Sequence, residues 1–151
     1  MNAERHRPPA PLLVRWASPD VPHHVAAVLR DTGADLAEVA DLVQQRTVAV
    51  LSDLTLPPAA PPFAAAAFRI GHPPGTAQLI AIGVLEPRRR RGLGRRLLSG
   101  SMPLLRAEGV DRVHAWADAR SAGASLLASA GFTAGHYTAH VSGSSRFWLL
   151  L

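Results

Sequence analysis

The stretch Val84–Leu98, VLEPRRRRGLGRRLL, decides the fold because it joins an apolar run to the start of a leucine-rich helix. Before it, Thr76–Pro87 (TAQLIAIGVLEP) is β-rich and becomes apolar on both faces, which is typical of a central strand. After it, leucines recur at helical spacing until the pattern ends near Gly109. The sequence therefore predicts a strand, a basic turn with two glycines and a helix in immediate succession.

The turn between this strand and this helix has the chemistry of an anion site. Gly92 and Gly94 let the backbone approach a phosphate closely, and the turn amides and the helix N-terminus both attract negative charge. Residues 88–96 contain six of the 16 arginines and no acid, which leaves ten arginines against eleven acids elsewhere. The formal net charge of +5 is therefore a property of this segment and predicts a phosphate-bearing ligand at it.

Outward from this segment, the patterns predict elements in the order β, α, α, β, β, β, α, β, α, β, β. Helices alternate with strands in the middle and the strands otherwise meander, which predicts a mixed α/β sheet with helices on both faces. Two proline-rich interruptions, Leu56–Phe63 and Gly71–Gly75, are short enough to be loops. Pro103 removes the amide that would bond to the carbonyl of Ser99, which predicts a kink or an early helix end.

Composition excludes several classes of site and predicts the domain organisation. The chain has no Cys and no Lys, so disulfides, thiolate metal sites and lysine Schiff bases are absent. No apolar run approaches the roughly 20 residues of a membrane-spanning helix, so we predict no membrane association and a cytoplasmic location. The charged, proline-containing residues 1–10 are predicted to be a flexible arm, and residues 11–151 one domain.

The segment resembles the coenzyme A loop of the GCN5-related N-acetyltransferases (GNAT). That family's signature is Arg or Gln, two residues, Gly, one residue, and Gly or Ala, and here it is Arg89 to Gly94. The resemblance extends over about residues 12 to 150, because the strand Arg112–Asp118 and a short helix ending in Gly131-Phe132 follow in the family's order. It implies a mostly antiparallel GNAT-like sheet flanked by helices.

The resemblance also implies acetyl-coenzyme A as cosubstrate. Backbone groups near the end of the central strand would pair with the pantetheine amides, and amides of the turn would hold the pyrophosphate. Arg88, Arg90 and Arg91 remain alternatives for the adenosine 3′-phosphate. The cofactor-binding residues implied in this way are Ile82, Val84, Arg89, Arg90, Arg91, Gly92, Leu93, Gly94 and Arg95.

The usual catalytic groups of the family are missing. Many members carry a Tyr acid in the penultimate helix, where this chain has Leu127, and some carry a strand Glu, where it offers Gln78. The catalytic candidates that remain are Glu86, His114, Asp118 and Tyr137.

Each candidate has a structural alternative. Glu86 fits an ion pair with a neighbouring arginine better than a role as base. His114, whose ordinary pKa is near neutrality, suits a base or a water relay about as well as a structural role. Tyr137 acts as an acid only if the final hairpin folds over the thioester. His23 and His24 are adjacent, not at i, i+4 spacing, so no metal site is predicted.

The resulting prediction is an N-acetyltransferase that moves an acetyl group from acetyl-coenzyme A to a primary amine by direct attack. The acceptor is a small-molecule or peptide amine that no portable motif identifies. The main alternative is a catalytically degenerate acyl-coenzyme A-binding or regulatory module. Nucleic-acid binding is disfavoured, because the chain has only eight aromatic residues for stacking. The terminal hairpin and exposed strands are compatible with a homodimer.

Overall fold

The computed structural model describes residues 12–20, 22–57, 60–71, 73–85, 92–118, 121–138 and 144–151, without the side chains of 136–138 and 144–145. The order of the described elements confirms the predicted one. The elements are β1 (Leu12–Trp16), α1 (Pro22–Leu29), a 3₁₀ turn (Arg30–Thr32), α2 (Leu36–Gln44), β2 (Val48–Asp53), β3 (Ala64–Ile70), β4 (Thr76–Val84), α3 (Leu93–Ala107), β5 (Arg112–Asp118), α4 (Ala122–Ser129), β6 (Thr133–Thr138) and β7 (Ser144–Leu150).

The strands form one seven-stranded sheet in the order β1-β2-β3-β4-β5-β7-β6. Every neighbouring pair is antiparallel except β4 and β5, which run parallel. A parallel pair needs a crossover connection, and α3 supplies it between β4 and β5. The predicted mixed, mostly antiparallel sheet is confirmed.

Helices pack on both faces of the sheet, as predicted. On one face, α3 and α4 bury a core that includes Leu97, Leu105 and Phe68. On the other face, α1 and α2 bury a second core that includes Leu29 and Val43. None of the described helices is long and apolar enough to cross a membrane.

Four consecutive alanines in β3 separate the two cores. Ala64 and Ala66 face the α3 side, and Ala65 and Ala67 face the α1 side, and all four are fully buried. Because successive side chains of a strand point to opposite faces, each face receives only methyl groups from this part of β3. Helices can therefore pack closely against both sides of the middle of the sheet.

Of the two outcomes predicted at Pro103, a kink or an early end of α3, the early end does not occur, since the helix continues to Ala107. Both Pro103 and Ser99 are exposed. The carbonyl of Ser99, which has no amide partner at Pro103, therefore lies on the solvent side of the helix, where water can replace the missing hydrogen bond.

Candidate functional site

A β-bulge bends the second half of β4. Ala67 of β3 pairs with Ala81, but its neighbour Phe68 pairs with Leu79, so Ile80 is an extra residue in β4. Ile80 and Ala81 both pack on the α1 side of the sheet. From Ile82 onward, each residue of β4 therefore faces the side opposite to the one it would face without the bulge. Bulges of this kind bend a strand and increase its twist.

The bulge lies where β4 and β5 separate. In the described chain their pairing runs from Thr76↔Arg112 to Leu79↔Ala115 and stops there. Ile80–Val84 and Trp116–Asp118 continue without pairing to each other. We call the gap between these two segments the β4–β5 opening. Its β4 side presents backbone groups that can bond to an extended ligand in the manner of an added strand.

A cavity of about 380 Å³ lies at this opening. It receives side chains from α1 and the 3₁₀ turn on one face of the sheet and from α4 on the other. The cavity therefore reaches both faces through the opening. Its lining residues are Val28, Asp31, Thr32, Ile82, Gly83, Val84 and Leu126.

The absence of a side chain at Gly83 lets α1 approach β4 closely beside the opening. A Cβ atom built on Gly83 would lie 2.7 Å from the backbone oxygen of Val28 and 3.2 Å from Cγ2 of Thr32. Glycine within a strand often marks such an approach of another backbone segment. Its presence in LIAIGVL was the sequence signal for this contact, although the sequence prediction did not use it.

The start of α3 packs against Leu126, one of the residues that line this cavity. Its first helical hydrogen bond runs from the amide of Arg96 to the carbonyl of Gly92, which has φ +70°. No side chain caps this end and no acid lies in the first turn, so the preceding amides of residues 93–95 point out of the helix. The side chain of Leu126, which lines the cavity, would lie 3.2 Å from a Cβ on Gly94.

The described cofactor candidates thus gather around the opening. Ile82 and Val84 line the cavity, and Gly94 is in reach of it through Leu126. Leu93 is buried in the core, so only its amide is available to a ligand, whereas Arg95 is exposed in the first turn of α3. Arg89, Arg90 and Arg91 lie outside the described residues, and the cofactor roles of all these positions stay predictions.

The catalytic candidates are separated more widely. Glu86 lies outside the described residues, and Tyr137 lies in β6 with its side chain outside the described part. His114 and Asp118 share one face of β5, and the exposed Asp118 ends the strand beside the opening. Leu127 is buried in the core, while its neighbour Leu126 lines the cavity.

His114 is a buried imidazole between β4 and β7. It pairs in register with Gln78 and with Trp148, and its ring centroid is 5.4 Å from the ring of Trp148. Its exposed fraction is 7% and its Nδ1 atom has no hydrogen-bond partner. Burial, and then the positive charge of Arg146, lower the pKa of His114 below its ordinary value of 6.5. The neutral, proton-accepting form is therefore favoured at pH 7.

No group of three or more His, Asp or Glu side chains in the described residues is arranged to hold a metal ion.

The matched region of a known family coincides with this site. Residues 61–132, which run from the loop before β3 to the end of α4, match the model of the acetyltransferase (GNAT) family. The chain belongs to the GNAT superfamily. The matched residues contain the bulge, the β4–β5 opening and the start of α3, together with four of the seven residues that line the cavity in this GNAT chain.

Solved structures share the GNAT fold over nearly the whole chain. An acetyltransferase of Bacillus subtilis in complex with CoA has a TM-score of 0.68 and 15% identity, covering 93% of this chain and 99% of that one. The ribosomal-protein-S18-alanine N-acetyltransferase of Escherichia coli has a TM-score of 0.67 and 19% identity, covering 91% of each chain.

A longer enzyme contains the same fold. N-acetylglutamate synthase of Neisseria gonorrhoeae, complexed with coenzyme A and L-arginine, has a TM-score of 0.71 and 16% identity, covering 94% of this chain and 34% of that one. No curated protein sequence matches this chain.

Proposed function

We propose that this GNAT protein transfers an acetyl group from acetyl-coenzyme A to a primary amine. The observation that carries the proposal is the β4–β5 opening, whose cavity is lined by Leu126, a neighbour of the uncapped start of α3. The structures of the Bacillus subtilis acetyltransferase and of the Neisseria gonorrhoeae synthase, both complexes with coenzyme A, support the choice of donor.

The donor binds across this opening. Backbone groups near Ile82 and Val84 pair with the pantetheine amides, and the amides of residues 92–95 hold the pyrophosphate. The 15-residue helix α3 places its positive dipole end at those phosphates, and the arginines of the loop, Arg89–Arg91, add charge. The thioester then lies at the cavity, where residues from both faces of the sheet reach it.

The reaction needs few groups from the protein. The lone pair of the neutral amine attacks the thioester carbonyl, so that a C–N bond forms and the C–S bond breaks, its electron pair leaving on sulfur. The nitrogen loses one proton to a base, and the coenzyme A thiolate gains one from solvent or an acid. Holding the two reactants together in the cavity supplies much of the acceleration, because it removes the entropic cost of their encounter.

His114 is the base that we favour among Glu86, His114, Asp118 and Tyr137, acting through a water molecule because its buried ring does not line the cavity. Its lowered pKa keeps the imidazole neutral at pH 7, and its Nδ1 atom has no protein partner. A His114→Gln variant is expected to lose turnover at pH 7 without losing affinity for acetyl-coenzyme A. Retained turnover would assign the base to Glu86, Asp118 or Tyr137.

The deciding experiment is an isothermal titration with acetyl-coenzyme A. Gly92→Ala forces a Cβ into a left-handed conformation at the start of α3, and Gly109→Ala does the same just after its end, with no atom within 4 Å in either case. Both variants are expected to lose about 1–2 kcal/mol of stability. Only Gly92→Ala is expected to bind the donor at least about tenfold more weakly, because it displaces amides that hold phosphate.

A wild-type protein that shows no saturable binding of acetyl-coenzyme A contradicts the proposal. Binding without thiol release over a broad panel of small-molecule and peptide amines would instead indicate the degenerate acyl-coenzyme A-binding module. The cytoplasmic location, the domain boundary after residue 10 and the homodimer stay predictions from the sequence.

A further inference from the structure

The α1 side of β5 and β7 carries an aromatic and cationic surface that the described helices leave uncovered. The main sheet contacts of helices α1 and α2 are with β2, β3 and β4. His114 pairs with Trp148, and Trp116 pairs with Arg146, so these side chains occupy one face of the two strands. We call Arg112, His114, Trp116, Arg146 and Trp148 the Arg–Trp surface.

Two guanidinium groups share one indole on this surface. The Cζ atom of Arg146 lies 3.9 Å from the ring centroid of Trp148 and 5.7 Å from that of Trp116. The Cζ atom of Arg112 lies 5.2 Å from the centroid of Trp148. Cation–π contacts of this kind fix the guanidinium groups in place while leaving their in-plane N–H donors available.

The arginines of this surface form no ion pair within the described residues, although Asp118 lies farther along the same face of β5. Arg69 pairs with Glu38, but neither Arg112 nor Arg146 forms an ion pair with a described carboxylate. The Nε atom of Arg146 and the Nδ1 atom of His114 are buried without any hydrogen-bond partner. Buried donors without partners are rare and costly, so the unpartnered Nε–H of Arg146, beside a second arginine that forms no ion pair with a described carboxylate, indicates a place for an anionic ligand.

The surface begins at the β4–β5 opening. Leu79↔Ala115 is the last pair between β4 and β5, and the next residue of β5, Trp116, pairs with Arg146. At this level β7 lies one strand spacing, about 5 Å, beyond β5, so Arg146 stands next to the β5 side of the opening. One small molecule can therefore reach from the opening to the guanidinium group.

We propose that the acceptor is an amino acid whose carboxylate binds Arg146 and Arg112 beside Trp148 while its amino group enters the β4–β5 opening. This inference rests on the proposed acetyl transfer and adds the acceptor's class to it. The guanidinium donors satisfy the carboxylate, and Trp116 and Trp148 pack against the carbon chain. An acceptor amine that carries no negative charge leaves the guanidinium groups of Arg112 and Arg146 without a carboxylate partner.

The test compares acceptors that differ only in charge. The assay measures the release of coenzyme A thiol with α-amino acids and with ω-amino acids of increasing chain length. Each acid is compared with its matching carboxamide. We expect at least one acid to exceed its amide about 10- to 100-fold in kcat/KM, the range of one or two charge-assisted hydrogen bonds. Arg146→Gln should remove this preference, so that the ratio of kcat/KM for each acid to that for its amide falls to about 1. Arg106→Gln, an exposed arginine at the end of α3, should keep it.

Binding provides a readout that does not need turnover. With coenzyme A present, N-acetyl amino acids should shift the indole N–H resonance of Trp148, assigned with Trp148→Phe, and the matching N-acetyl amides should not. Normal acetyl-coenzyme A binding with equal effects of acids and amides, or with no effect of any acid, overturns the inference. The inference is also overturned if the Trp148 resonance shifts only when the protein is diluted, because a second copy of the chain then covers the Arg–Trp surface. Loss of acetyl-coenzyme A binding itself contradicts the proposed function instead.

Discussion

The contact between α1 and Gly83 can be tested with one methyl group. In Gly83→Ala the new Cβ would lie 2.7 Å from the carbonyl oxygen of Val28, closer than the 3.0 Å limit that real Cβ contacts respect. This obstacle is backbone, so it cannot rotate away, and a second contact with Cδ2 of Leu29 at 3.3 Å leaves little room sideways. The end of α1 must therefore retreat from β4 by several tenths of an ångström.

Overpacking of this kind costs about 1–3 kcal/mol. For a domain of this size, about 2–4 °C of melting temperature corresponds to each kcal/mol, so Gly83→Ala should melt about 2–12 °C lower. Differential scanning calorimetry measures the change directly. Because Gly83 also lines the cavity, the affinity for acetyl-coenzyme A should fall in the same variant.

Gly123→Ala is the matched control. Its new Cβ would meet only Oγ of Ser121 at 3.6 Å, an ordinary contact, in a helical position where alanine is favoured over glycine. This variant should be more stable by about 0.5–1 kcal/mol, or about 1–4 °C. If both variants shift the melting temperature in the same direction, α1 does not pack on Gly83 as the structure describes.

Three further predictions concern stability. Folding lowers the pKa of His114, so the stability that depends on its neutral form is complete above pH 6.5 and is lost as the pH falls from there towards the folded pKa. The free energy of unfolding, measured by chemical denaturation at pH 7.5 and at pH 5, should therefore change less between the two pH values in His114→Phe than in the wild type. Phe68→Ala should cost about 3–5 kcal/mol in urea unfolding, since Phe68 is fully buried, and a loss under 1 kcal/mol contradicts this packing. Glu38→Gln should cost less than about 1 kcal/mol, because both partners of the pair with Arg69 are substantially exposed; a larger loss would assign Glu38 a further contact.

The element order and the two-sided packing were predictable because their signals are local. The apolar run of β4 ends at Pro87, and the leucine spacing of α3 follows two glycines, so both elements are bounded by residues with strong backbone preferences. The glycines and arginines around the start of α3 are likewise consecutive in the sequence, which is why this turn could be proposed as the cofactor site; that role stays a prediction. The early end at Pro103 was wrong because an exposed helix face tolerates one missing hydrogen bond.

The rest of the site depends on contacts that sequence spacing does not show. The bulge at Ile80 lies in LIAIGVL, where every residue is apolar or glycine and a change of face leaves no trace in the pattern. Leu126 and Leu127 are adjacent leucines, and only the position of α4 determines which one lines the cavity. The Arg–Trp surface brings together residues of β5 and β7 that are about 30 positions apart, and strand register alone decides that they meet.

The four alanines of β3 set the thickness of the molecule at its centre. Residues 64–67 present only methyl groups to either face, so the helices of the α1 layer and of the α3 layer can both pack close to this part of the sheet. A larger residue at any one of them would move one layer outward and leave the other in place, because interiors are too densely packed to absorb added volume. The cavity is lined from both layers, so this strand works as a spacer that determines whether its two walls meet the same ligand.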